Sequence, residues 1–109
     1  MMFEFRFTNS AKEKIQELKR NKGLWKRYKA VTGALRKLQK NPRHPSLQTH
    51  QYQTLIGPNK EKIFEAYAEN KTPAAYRIFF YYGPDKGVIT VFTITAHPST
   101  FWDMVLAKK

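Results

Sequence analysis

The sequence predicts an α+β fold. An N-terminal strand is followed by an antiparallel hairpin of two basic helices, which packs on one face of a four-stranded, mainly antiparallel sheet, and a short C-terminal helical turn closes the chain. Three observations carry this. Phe3, Phe5 and Phe7 alternate with Glu4 and Arg6 at the chain start, apolar residues recur at helical spacing through residues 11–38, and the second half turns to aromatic and β-branched runs. The 109 residues, 41% of them apolar, suffice for one core and one domain, residues 1–109.

The first strand, Phe3 to Phe7, has the period of two expected of a half-buried strand, and Thr8-Asn9-Ser10 ends it. Ser10 with Glu13 fits a capping box for a first helix running to about Arg20, with Ala11, Ile15 and Leu18 inward. Asn21-Lys22-Gly23 breaks the pattern. Trp25, Tyr28, Val31, Leu35 and Leu38 then form the stripe of a second helix, which Asn41-Pro42 stops. The short connection predicts a hairpin with its basic residues outward.

Pro42, Pro45, Gly57 and Pro58 mark a loop-rich passage. Residues 63–69 then read as a strand, with Phe64, Ala66 and Ala68 on a buried face and Glu65, Tyr67 and Glu69 on a polar one. Residues 75–82 and 88–97 are near-continuous apolar runs, as expected of central strands, and Gly83-Pro84-Asp85-Lys86-Gly87 joins them tightly as a hairpin. Pro98 ends the last strand, and Thr100 to Ala107 supplies the closing helical turn.

Charge is distributed unequally. Residues 11–43 hold twelve of the twenty Lys and Arg against only Glu13 and Glu17, so this stretch carries +10 of the net +12. Like charge at this density opposes the compact state and points to a polyanionic partner, RNA, DNA or a ribosome before any small substrate. Ordinary exposed helices intersperse both signs. We therefore assign phosphate contact to Lys12, Lys19, Arg20, Lys22, Lys26, Arg27, Lys29, Arg36, Lys37 and Lys40, with Arg43 and His44 in the following loop as further RNA-contacting residues or simply loop residues held by Pro42 and Pro45. There is no Cys, so disulfides, thiolate nucleophiles and Cys-ligated zinc are excluded, which suits a reducing compartment. His44 and His50 lie in a proline-containing loop without a zinc-binding pattern, and no metal or other cofactor is implied. The N-terminus does not read as a signal peptide and no stretch is long and apolar enough to span a membrane, so the expected location is cytoplasmic.

The run Asn41-Pro42-Arg43-His44-Pro45-Ser46-Leu47-Gln48-Thr49-His50, then Leu55-Ile56-Gly57, then Tyr76-Arg77-Ile78-Phe79-Phe80, then Ile94-Thr95-Ala96-His97 resembles the RelE/ParE toxin superfamily in order and spacing. The resemblance covers nearly the whole chain. It implies a toxin of a toxin–antitoxin system, often a ribosome-dependent mRNA endonuclease, held inactive by a cognate acidic antitoxin; other members poison gyrase or lack nuclease activity. Metal-free RNA cleavage needs a base for the 2′-OH, a cation at the phosphate and an acid for the 5′ oxygen. The resemblance implies that Arg77 is the cation and His97 the acid, and Glu65 is the candidate base. Each has a plainer reading: Arg77 paired with Glu65 or Glu69, His97 a surface histidine before Pro98, Glu65 facing water. Two departures bear on catalysis. Phe101 and Trp102 stand where many members carry an aromatic hydroxyl, and the strand before Arg77 offers no basic residue, although Tyr67 there is a possible stacking group.

Overall fold

The computed structural model describes residues 2–70 and 75–96. Its elements are β1 (Glu4–Phe7), α1 (Asn9–Arg20), a 3₁₀ turn (Lys22–Leu24), α2 (Trp25–Lys40), a second 3₁₀ turn (Pro45–Leu47), β2 (His50–Ile56), β3 (Lys62–Tyr67), β4 (Tyr76–Tyr82) and β5 (Val88–Ala96). The strands form one sheet in the order β1-β5-β4-β3-β2; β1 runs parallel to β5 and every other pairing is antiparallel. The predicted α+β layering stands. The closing helical turn predicted over Thr100 to Ala107 lies outside the described residues.

The joint between strand and helix is set by Thr8. Its hydroxyl accepts from the Ala11 N–H at 3.2 Å and donates to the Phe92 carbonyl at 2.6 Å, so one side chain caps α1 and ties it to β5. The cap therefore lies two residues before the predicted Ser10, because β1 runs into the helix with almost no intervening chain. Ser10 instead lies 3.2 Å from the Thr93 hydroxyl.

Ala11 and Leu18 of α1 and Val31, Ala34, Leu35 and Leu38 of α2 share one core with Ala66, Ile78, Phe80, Ile89, Val91 and Ile94 of the sheet. Burying a phenylalanine such as Phe80 is worth about 1.5–3 kcal/mol. The predicted stripe of α2 loses its first member: Trp25 is 53% exposed and stacks on Tyr28 with ring centroids 5.4 Å apart.

Two sequence expectations are corrected. Among the described residues the sheet has five strands, not four, because β2 arises from the passage read as loop. As an edge strand it turns only Tyr52 and Leu55 inward among polar Gln and Thr residues, so its hydrophobic alternation is faint. Second, the opposite face of the sheet is not polar. Leu55, Ile63, Phe79 and Tyr81 form a second cluster there, with Tyr52 and Phe92 against it. Phe79 and Phe80 thus point to opposite sides, and a register shift between them marks a bulge against β5.

One residue of α2 contributes no packing. Gly33 lies inside the helix, and a Cβ built on it would meet nothing within 4 Å. Glycine in a helix interior costs about 0.5–1 kcal/mol relative to alanine. Gly33→Ala is expected to stabilise the protein by about that amount, read as a higher midpoint in urea with an unchanged slope.

Candidate functional site

The cationic residues of the hairpin are displayed as the sequence predicts. Lys12, Lys19, Arg20, Lys22, Lys26, Lys29, Arg36, Lys37, Lys40 and Arg43 are exposed. Arg27 differs, because it turns inward to Glu69 at 3.5 Å and lies 5.0 Å from the centre of the Tyr76 ring. His44 is occupied locally as well. Its Nδ1 accepts from the Ser46 N–H at 3.1 Å and caps the second 3₁₀ turn, while Lys37 Nζ donates to the Ser46 hydroxyl at 3.1 Å. The Tyr82 hydroxyl is held above its ordinary pKa by burial, against the opposing pull of Arg43.

A second constellation lies on the opposite face of the sheet. Glu65 and Arg77 are 3% and 4% exposed, so neither faces water. Arg77 Nε is 3.8 Å from Glu65 Oε2, its Nη1 donates to the Glu69 carbonyl at 2.6 Å, and the guanidinium lies 3.6 Å from the centre of the Tyr67 ring. The register explains the stacking, since Tyr67 and Arg77 are cross-strand partners. Glu65 Oε1 is 2.8 Å from His50 Nε2, and His50 Nδ1 lies 2.8 Å from the Gln48 carbonyl. Both imidazole nitrogens therefore meet acceptors. The Glu65 carboxyl group thus lies between the His50 ring and the Arg77 guanidinium.

The predicted Arg77 and Glu65 are thus brought together, and Tyr67 joins them. His97 lies outside the described residues; β5 is followed to Ala96, opposite Tyr76. His50 received no role from the sequence, because its place opposite Glu65 depends on a strand that the sequence does not display. The hydrogen bonding is incomplete. Among the described residues, Glu65 Oε2 and Arg77 Nε are buried without a hydrogen-bond partner, one acceptor beside one donor.

No protein-family model and no curated protein matches this sequence. Solved structures do match in shape. A chain of the archaeal RelE–RelB complex from Pyrococcus horikoshii OT3 superposes with a TM-score of 0.60 at 14% identity, over 88% of this chain and 96% of that one. The fold is that of the RelE/ParE toxins. A YoeB/ParE toxin from Agrobacterium tumefaciens gives a TM-score of 0.62 at 10% identity, over 86% of this chain and 98% of that one. The YoeB dimer from Staphylococcus aureus gives 0.61 at 13%, over 89% and 99%. Among the described residues, no helix of this RelE/ParE-type fold is long and apolar enough to cross a membrane.

Removing one member of a buried ion pair strands the other charge, typically at a cost of about 3–5 kcal/mol. Arg77→Met is expected to lose stability of about that size in urea denaturation. The double variant Arg77→Met/Glu65→Leu is expected to recover most of the loss. Additive losses would show that the two side chains do not interact.

Proposed function

We propose that this chain is the toxin of a toxin–antitoxin pair, that its basic helical hairpin docks on ribosomal or messenger RNA, and that it cuts message by metal-free attack of the 2′-OH. The reading is carried by one observation: a RelE/ParE-type fold that displays ten exposed Lys and Arg side chains on and just after the hairpin. An acidic antitoxin would neutralise the same surface.

In this reading Arg77 meets the scissile phosphate, Glu65 takes the 2′-OH proton and His97 donates to the departing 5′ oxygen. The geometry supports the first two roles in one respect. The unbonded Oε2 of Glu65 accepts while the unbonded Nε of Arg77 donates, and a ribose hydroxyl can satisfy both. Displacing the Tyr67 ring would open the pair to substrate. No cofactor enters the chemistry, and cytoplasmic action follows from a ribosomal target.

A second reading has its own support. The Arg77 guanidinium is engaged by Glu65, Glu69 and Tyr67 and is almost wholly buried, as suits a structural ion pair. Under it the same fold holds RNA or inhibits a protein such as gyrase without cleaving.

Mapping mRNA 5′ ends after incubation with translating ribosomes separates the two. Cleavage is expected from the wild type, with a loss of at least about a hundredfold in His97→Ala, the scale of a general acid. Intact message beside arrested growth would establish the non-cleaving reading. Single-stranded RNA binding should fall about a hundredfold between 50 and 200 mM salt if roughly five phosphates are neutralised. A flat salt dependence would remove the docking role of the hairpin.

A further inference from the structure

A cleft of about 330 Å³ opens between α2, the second 3₁₀ turn and the end of β3, and Tyr67, the residue stacked on Arg77, also lines it. Its floor is a single helix surface made by Ala30, Gly33 and Ala34, with Leu47 at one wall. The absent side chain of Gly33 leaves space that, among the described residues, no atom fills within 4 Å. The helix therefore retains a residue that weakens it, at a place where nothing inside the protein requires one.

The rim has a different chemistry. Lys29 and Lys37 stand on the same helix, eight residues and about 12 Å apart along its axis, and both are exposed. The Asn70 amide supplies donors and an acceptor at this rim, while the Ser46 hydroxyl holds the Lys37 ammonium at 3.1 Å and would have to release it to a ligand. Glu69 also lines the cleft, but its carboxylate is already engaged by the Tyr76 N–H at 3.0 Å and by Arg27 at 3.5 Å. A flat apolar floor, a polar edge and a cation at each side match the parts of one nucleotide: ring faces, ring edge and flanking phosphates. An aliphatic side chain from a protein partner would use the floor and leave the polar edge without work.

We propose that this cleft receives one base splayed out of a single-stranded RNA, with the adjoining phosphates on Lys29 and Lys37. The inference rests on the RNA-docking part of the proposed function and adds a base-reading subsite to it. It does not depend on cleavage.

Fluorescence anisotropy of the full chain with a labelled single-stranded oligoribonucleotide, and with an abasic strand of the same length, tests it. The wild type should bind the base-bearing strand about tenfold more tightly than the abasic one, the scale of one base contact. Gly33→Leu fills the cleft with a strong helix former, and should bring the base-bearing strand to the abasic level while leaving abasic binding unchanged. Gly33→Ala should reduce the preference in the same direction, and gives the reading if the larger side chain disturbs folding. Lys29→Gln/Lys37→Gln should weaken both strands together.

Equal binding of the two strands by the wild type, or a preference that survives Gly33→Leu, overturns the proposal. So does a Gly33→Leu variant that keeps the preference but no longer binds an acidic protein encoded beside this chain, which would assign the cleft to a protein partner. Base preference with intact message supports the subsite and rejects the cleavage reading. Cleaved message without base preference does the reverse.

Discussion

The central strand β4 sends Phe79 into one core cluster and Phe80 into the other, so no face of the sheet around it is turned wholly to water. Residues 77–81 of that strand are buried, Arg77 included. A buried guanidinium needs a counter-charge and hydrogen-bond acceptors, and the neighbouring strand β3 supplies both as the Glu65 carboxylate and the Glu69 carbonyl. Glu65 in turn draws His50 from the edge strand β2. A chain of polar contacts thus crosses three strands because a two-sided sheet leaves its charges nowhere else to go.

The two layers divide the electrostatics between them. The helical layer gathers cations with few acids nearby, and most of them lie in solvent where self-repulsion is screened. The charge that the sheet layer buries, Glu65 and Arg77, lies in one ion pair. The division leaves a broad cationic surface on one layer and, on the other, a separate cluster in which a carboxylate, a guanidinium and an aromatic ring are already in contact.

Similarity to the RelE/ParE toxins at 10–14% identity shows which features the fold itself demands. What such chains share is the order of elements and the placement of apolar faces, which many sequences can satisfy. The functional reading therefore rests on particular side chains of this protein.

Local pattern determined a good deal here. The helix stripes of Ala11 with Leu18 and of Val31 with Leu38, the apolar runs of β4 and β5, and the charge split between hairpin and sheet all follow from periodicity and composition, which are properties of short segments. Tertiary structure alone decided the rest. β2 is an edge strand, buried at few points, so its pattern is weak until β3 lies beside it. Glu65 looks like a solvent-facing strand carboxylate until Leu55, Phe79 and Tyr81 cover its face. His50 acquires a partner only through the register that sets it opposite Glu65, and the space above Gly33 becomes a cleft only when the 3₁₀ turn and the end of β3 wall it in. Each of these depends on residues far apart in the chain, and contacts of that kind are fixed by packing rather than by local sequence.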